Sequence, residues 1–258
     1  KQPLKLLAAA AFLLIVGVAL TYYIKNTGIY PSGADIYGHI FKSDLLYNSI
    51  KEGNFFPLFT EYWYNGLQPF RYWAPLPYYL MAGLQYIAGG NALESYLYFI
   101  ILAIFAGGMG WVLWGKRHNR IFLGTVFGVL WFFIIDNTRV FFSEGNLPRM
   151  TITIILPYLF YYLWEFLEYK KDKALFTLII LTVITVFCHA MIAAMVGVAS
   201  FIFVLIYCIY RKDFKRGTLT IIGMLLAFAV SGIWLYSALK GGLVSMNTTS
   251  VMAALTYP

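Results

Sequence analysis

The sequence predicts an all-α polytopic membrane protein with about seven transmembrane helices and a long first external loop. Its 258 residues are 61% hydrophobic and only 12% charged, with a mean hydropathy of +0.72. A soluble chain of this size has no core large enough to hide so much apolar surface. Apolar runs of roughly transmembrane length alternate with short basic segments, and one polar island interrupts them between residues 25 and 91.

The first predicted span covers residues 6–24, directly after Lys5. This run has about the twenty residues that a helix needs to cross the hydrocarbon core. It is too long for the apolar part of a cleaved signal peptide, and no small-x-small cleavage site follows closely, so we predict an anchor. Lys1 and Lys5 precede it, which favours a cytoplasmic N-terminus.

Five later apolar runs are predicted to supply six further spans. The runs are 92–114, 121–135, 150–169, 174–210 and 217–239. The run 174–210 would be about 55 Å long as one helix, so we predict two spans with a turn near His189. Short cytoplasmic loops are typically basic. The basic segments between the runs are 116–120, 170–173 and 211–216.

The stretch 75–89 decides the topology, because it either crosses the membrane or lies in its interface. It is short, opens with two prolines and closes on two glycines, which is typical of an interfacial or re-entrant helix. If it does not cross, twelve basic and four acidic residues lie inside, and seven of each lie outside. If it crosses, ten basic residues move outside, against the positive-inside rule. We therefore predict no crossing there.

This topology makes the chain 1–258 a single transmembrane domain, in which residues 25–91 are an external loop with interfacial helices. The chain begins with lysine and ends without a charged tail, so we expect it to be the N-terminal part of a longer protein. The net charge of +8 then reflects orientation in the membrane, and we predict no nucleic-acid partner.

Asp35 and His39 are the central polar residues of the external loop. A helix is predicted over 36–52, so Asp35 and His39 would be i, i+4 neighbours on one face, with Asp44 on the opposite side. One interpretation is an active-site carboxylate with a histidine partner. The alternative is that Asp35 only caps the helix beside a hydrogen-bonded His39.

The second outer loop, 136–149, contains two carboxylates, two amides and two arginines, more than a connection between spans needs. Within it, Glu144-Gly145-Asn146 can present a carboxylate and an amide oxygen to a hard cation or a hydroxyl-bearing ligand. The alternative is a solvated turn with surface ion pairs. His189, at its predicted turn, is either a functional ionisable group or a turn cap.

Four motifs follow one another in the external loop: Asp35-x-x-x-His39, Lys51-Glu52-Gly53-Asn54, Trp63-Tyr64-Asn65-Gly66 and Arg71-Tyr72-Trp73-Ala74-Pro75-Leu76-Pro77-Tyr78-Tyr79. Their order resembles the first external loop of GT-C membrane glycosyltransferases, which include oligosaccharyltransferase catalytic subunits and protein mannosyltransferases. The segment 143–149 resembles the second-loop acidic motif of that superfamily. The whole chain also looks like bacterial and archaeal membrane proteins named 6-pyruvoyl-tetrahydropterin-synthase-related, although no pattern of a soluble pterin enzyme is present.

This resemblance implies transfer of a sugar from a polyprenyl-phosphate-linked donor to a glycan, lipid or protein acceptor, outside the plasma (inner) membrane of a prokaryote. Asp35 and His39 would be catalytic, and Asp35 and Glu144 would hold Mg²⁺ or Mn²⁺ if a metal is used. The implied substrate-binding residues are Arg71, Tyr72, Trp73, Arg139, Asn146, Arg149 and His189. Two other function classes remain open, a lipid or polysaccharide transporter or flippase and a non-catalytic membrane subunit of a polysaccharide-assembly complex.

Overall fold

The computed structural model describes residues 2–30, 32–62 and 66–240, and its regular elements in these ranges are all helical. The α-helices are α1 Gln2–Thr27, α2 Ile36–Lys51, α3 Pro69–Tyr72, α4 Leu76–Ile87, α5 Ala92–Leu102, α6 Gly108–Arg117, α7 Ile121–Phe133, α8 Ile135–Thr138, α9 Leu147–Leu167, α10 Asp172–Cys188, α11 Ala190–Arg211 and α12 Phe214–Lys240. Two π-helical segments, Ala103–Gly107 and Arg139–Glu144, follow α5 and α8. The predicted all-α class is confirmed.

Within the described residues, five helical segments are long and apolar enough to cross a membrane: α1, the continuous α5–α6 segment, α9, α11 and α12. A sixth candidate arises if α7 and Ile135–Glu144, which meet at 48°, form one bent span. The twelve residues of α4 extend only about 18 Å, well short of a bilayer core of roughly 30 Å. Five to six spans are thus supported, and seven would require the 17-residue α10 to cross as well.

The run 174–210 is divided in two, and the break falls at His189 as predicted. His189 has an extended backbone (φ −164°, ψ 101°) between α10 and α11. Its ring Nδ1 accepts a hydrogen bond from the Ile192 N–H (3.4 Å), so the side chain caps α11. The side chain therefore makes the turn cap that was one of its two predicted roles.

The contacts between polar groups separate into two sets at opposite ends of the helix bundle. We call the end that carries residues 116–120, 165–173 and 211–216 the basic end. There Arg117 pairs with Glu165 (2.9 Å) and Arg216 pairs with Asp172 (3.0 Å). These pairs connect α6 to α9 and α12 to α10, so the three predicted basic segments do lie together.

We call the opposite end, which carries residues 28–30, 32–62, 66–91, 136–149 and 189, the loop end. Here the indole N–H of Trp234, in α12, donates to the carbonyl oxygen of Phe70 (2.9 Å). One buried cluster under this end contains Phe70, Tyr78, Phe99 and Phe141. The cluster connects α3, α4, α5 and the second π-helical segment, so it fixes the long loop to the bundle.

Glycines allow α6 and α7 to pack closely. A Cβ on Gly128 would lie 2.7 Å from the Gly108 oxygen, and one on Gly124 would lie 2.6 Å from the Trp111 oxygen. Small residues at such a contact let two membrane helices approach backbone to backbone. This packing fixes the position of α7 against α6, and the second loop follows α7 directly.

Candidate functional site at the loop end

Asp35 lies at the start of α2, where residues 144–146 of the second loop hold it by two hydrogen bonds. Its backbone N–H donates to the Glu144 carbonyl oxygen (2.8 Å), and Nδ2 of Asn146 donates to its Oδ2 (3.2 Å). Asp35 occupies the N-cap position of α2, but its side chain makes no capping hydrogen bond. Its exposed carboxylate is therefore available to a bound molecule.

Two glycines permit this close approach of the loops. Gly145 has a φ of +68°, a conformation that L side chains rarely adopt, and a Cβ there would lie 3.0 Å from the Ile36 Cα. A Cβ on Gly33 would lie 2.6 Å from the Gly145 nitrogen. Any side chain at either glycine would push the second loop away from the start of α2.

The charged residues of the second loop form a four-membered ion-pair network. Arg149 contacts Glu144 Oε2 (2.7 Å) and Asp136 Oδ2 (3.5 Å), and Arg139 contacts Asp136 Oδ1 (2.6 Å) and the other Glu144 oxygen. This is the ion-paired turn expected as the alternative interpretation. The network neutralises the formal charges of Arg139 and Arg149 and fixes the turn that carries Asn146.

His39 is buried behind Asp35 and bonds to Tyr78 of α4. Its Nδ1 lies 2.8 Å from the Tyr78 Oη, and the two side chains are 6% and 0% exposed. Burial, followed by the nearby charges of Lys42 and His189, lowers the pKa of His39 to about 3. The ring is therefore neutral at physiological pH, and it supports the site without carrying charge.

Lys42, which sequence reasoning missed, lies on the same face of α2 as Asp35 and His39. Its side chain is 2% exposed, and its Nζ donates to the Gly38 carbonyl oxygen (3.0 Å) and lies 4.3 Å from the Trp73 ring centroid. Burial lowers the pKa of Lys42 to about 8, and the charge of Asp35 partly opposes this shift. The i, i+4, i+7 spacing of Asp35, His39 and Lys42 is the sequence signal that identifies it.

His189 belongs to the same end of the molecule. Burial, and then the positive charge of Arg149, lower the pKa of His189, and a charge on its ring would in turn lower the pKa of His39. Because Nδ1 accepts the capping hydrogen bond from α11, the neutral ring carries its proton on Nε2.

A cavity of about 520 Å³ lies next to this cluster, between the long loop, α10 and α12. Phe70 lines it and packs against Tyr78, with the ring centroids 5.6 Å apart and the rings tilted by 56°, so Phe70 lies between the cavity and the His39–Tyr78 pair. Arg71 also lines it, with Nη1 donating to Gln68 Oε1 (2.8 Å) and Nε to the Ser237 oxygen (3.4 Å). The remaining walls are mainly apolar.

The structure thus brings together several of the predicted site residues: Asp35, His39, Asn146, Arg149 and His189. Trp73 joins them through Lys42. Arg71 lines the adjoining cavity, and its guanidinium lies 5.7 Å from the centroid of the Tyr72 ring. Of the motif Trp63-Tyr64-Asn65-Gly66, the first three residues lie outside the described ranges.

The donor set does not fit a protein-built divalent metal site. Both carboxylate oxygens of Glu144 are engaged by arginines, and the flanking neighbours of Asp35 are not acidic. Within residues 2–30, 32–62 and 66–240, no three His, Cys, Asp or Glu side chains group closely enough to hold a metal ion. Two guanidinium groups at Glu144 also oppose a cation there electrostatically.

A family model described as the 6-pyruvoyl-tetrahydropterin synthase related domain, a membrane protein, matches residues 70–258. The chain belongs to this family. The match covers about three quarters of the chain, and within the family domain lie Arg71, Asn146, Arg149 and His189. Asp35, His39 and Lys42 precede it. No curated protein and no solved structure matched the chain.

Proposed function

We propose that this family member is a membrane glycosyltransferase of the GT-C type, which moves a sugar from a polyprenyl-phosphate-linked donor to a glycan, lipid or protein acceptor. One observation carries the proposal: an exposed carboxylate, Asp35, is held by the second loop beside a buried lysine. Glycosyl transfer needs a carboxylate for the acceptor and positive charge for the phosphate leaving group. The loop end offers both.

In the proposed reaction, Asp35 accepts the proton of the acceptor nucleophile as that nucleophile forms a bond to the anomeric carbon. The bond from this carbon to the phosphate oxygen breaks, and its electron pair leaves with the polyprenyl phosphate. Lys42 supplies positive charge near Asp35, and the neutral His39–Tyr78 pair positions the helix face that carries both. No divalent cation takes part in this scheme.

The cavity that contains Arg71 is the proposed site of the lipid donor. Its apolar walls suit the first prenyl units, and a guanidinium can bind phosphate oxygens in a bidentate manner. Phe70 and Tyr78 connect this cavity to His39. Trp73 and Tyr72 are aromatic surfaces for the sugar.

We further propose that the chain crosses the membrane seven times, with the basic end in the cytoplasm. The 17 residues of α10 extend about 26 Å, close to the thickness of a bilayer core, and α9 and α11 beside it are candidate spans. The excess of lysine and arginine at the basic end supports this orientation. The loop end would then face the outside of the plasma membrane.

The test uses the full chain in liposomes, radiolabelled polyprenyl-phosphate sugars, and acceptor membranes from cells that lack the protein. Asp35→Asn keeps an oxygen for Asn146 but removes the base, so transfer should fall roughly 10²-fold or more. Glu52→Gln removes a carboxylate from the exposed end of the same helix and should leave transfer unchanged. Full activity in Asp35→Asn would refute the assignment, and donor translocation without sugar release would indicate a flippase.

A further inference from the structure

A second cavity, of about 880 Å³, lies at the basic end between α1 and α7 and has no part in the proposed reaction. Its size is near the upper limit for small-molecule sites in proteins. Its floor is the contact where Ala9 of α1 and Ile121 of α7 share one buried cluster. The two helices therefore form the two sides of one groove.

The walls of this groove are apolar and face outward. Phe12 is 50% exposed, Phe122 is 82% exposed, and Val126 is 37% exposed. α1 is a candidate span and α7 belongs to the bent sixth candidate, so in the proposed topology these side chains face lipid chains and not water. The groove can accept a hydrocarbon chain along its length.

Two cations, Lys5 and Arg120, line the same groove, and none of its described lining residues is acidic. Other arginines at the basic end, such as Arg117, Arg211 and Arg216, pair with carboxylates. Among the described residues, by contrast, neither Lys5 nor Arg120 takes part in a salt bridge. Arg120 also precedes the uncapped N-terminus of α7, whose backbone dipole favours an anion. The charge of the groove is thus positive and uncompensated.

We propose that this groove binds one anionic phospholipid. The lipid phosphate lies between Lys5 and Arg120, and an acyl chain lies along Phe12, Phe122 and Val126. Basic pockets between transmembrane helices are the usual sites of anionic lipid headgroups. A free phosphate ion would leave the apolar walls unused, whereas a phospholipid matches both the charge and the walls.

The experiment compares lipid binding to the full chain in zwitterionic nanodiscs doped with dioleoyl-phosphatidylglycerol or with dioleoyl-phosphatidylcholine. Native mass spectrometry counts the retained lipids. The wild type should retain one phosphatidylglycerol. The double variant Lys5→Gln/Arg120→Gln should bind it more weakly by roughly tenfold or more, because it loses the attraction of two basic side chains to the headgroup.

The matched control is Lys173→Gln/Lys215→Gln, which removes two exposed charges from the same end but outside the groove. It should retain the lipid. An equal loss in both double variants would reduce the effect to surface charge and overturn the site. Retention of the lipid in both double variants would overturn the site as well. The variant Lys5→Arg/Arg120→Lys keeps both charges and should bind the lipid like the wild type.

Ala8→Phe tests the groove independently of charge. Ala8 is exposed and lines the cavity, so a phenyl ring there occupies the space of the acyl chain without disturbing the buried floor. Phosphatidylglycerol retention should fall while the melting temperature in detergent stays the same. Unchanged retention in Ala8→Phe would contradict a groove that binds the acyl chain. In a separate competition, full displacement of the lipid by inorganic phosphate would mean that only the headgroup is attracted, which would also contradict the groove.

Discussion

The side-chain amide of Asn146 donates a hydrogen bond to the Asp35 carboxylate across 111 positions of the sequence. The other atom of the same amide, Oδ1, accepts from the Arg149 N–H (3.2 Å) and caps α9. These two contacts fix the orientation of the amide, because its oxygen faces a donor and its nitrogen faces an acceptor. The position of the Asp35 carboxylate is therefore determined by the second loop as well as by its own helix.

Asn146→Leu should uncouple the two loops. The variant removes the hydrogen bond to Asp35 and the cap of α9, and bonds to charged groups contribute about 1.5–3 kcal/mol. We expect sugar transfer to fall roughly 10–100-fold. Asn48→Leu is the control, since Asn48 makes a similar bond to Asp44 (3.2 Å) on the same helix. Equal losses in the two variants would mean that Asn146 has no specific connection to the site.

Gly33→Ala should separate the loops by steric repulsion. The new Cβ would lie 2.6 Å from the Gly145 nitrogen, a backbone atom that cannot move aside. We expect a loss of roughly 1–3 kcal/mol of stability, seen as a lower melting temperature in detergent. Gly83→Ala, in α4, should keep or raise the melting temperature, because the new Cβ would meet none of the described atoms within 4 Å apart from the nearby backbone of its own helix. An unchanged melting temperature in Gly33→Ala would contradict the close contact.

Helix patterning made much of this fold predictable. The run 174–210 was too long for one span, and the turn predicted near His189 is where the helix breaks. Periodicity could not predict the π-helical segments or the bend at Ile134, because these depend on packing between helices. The exact number of spans stays a prediction, since length alone does not decide whether α10 crosses.

The candidate site was only partly predictable for a similar reason. Asp35 and Glu144 were identified as polar residues in two loops, but no local pattern pairs residues 111 positions apart. Lys42 was missed because a lysine in a loop helix is expected at the surface, and its burial under Trp73 arises from tertiary packing. Whether Asp35 acts on a substrate stays a prediction.

The pKa of His39, lowered to about 3, predicts a loss of stability on acidification. Between about pH 3 and pH 6.5 the unfolded chain binds a proton that the buried ring does not, so stability falls as the pH decreases through this window. From about pH 7 to about pH 5 the loss is about 2 kcal/mol. His39→Gln should flatten this decline in detergent melting curves, while His118→Gln, at an exposed position, should not. A decline of the same size in His39→Gln would rule out His39 as its origin.

The two ends of the bundle should lie on opposite sides of the membrane. Asn119 lies at the basic end, and Asn54 follows α2 at the loop end, both at exposed positions. Cys188 and Cys208 are buried, and both are replaced by alanine in the background for this test. A membrane-impermeant maleimide added to intact cells should label Asn54→Cys, and should label Asn119→Cys only after permeabilisation. Labelling of both without permeabilisation would contradict the proposed topology.

Lys42→Met should raise stability and lower activity. Burial lowers the pKa of Lys42 to about 8 from an ordinary 10.5, so at neutral pH the fold carries the cost of a buried charge. Methionine keeps the stem of the side chain under Trp73, and we expect a gain of roughly 1–3 kcal/mol, reduced by the lost cation–π contact. Between about pH 8 and pH 10.5 the folded wild type has lost this proton while the unfolded chain still binds it, so the stability of the wild type rises with pH in this window. The variant should show no such rise.

The activity of Lys42→Met distinguishes a functional charge from a merely tolerated one. If the ammonium stabilises the phosphate leaving group, wild-type kcat/KM falls as the pH rises through about 8, and the variant is slow at every pH and lacks this limb. Lys51→Met is the matched control, because Lys51 lies on the same helix, 5.4 Å from the Tyr47 ring centroid, but is exposed. A more stable Lys42→Met with wild-type turnover and an unchanged pH profile would show that the reaction does not use this charge.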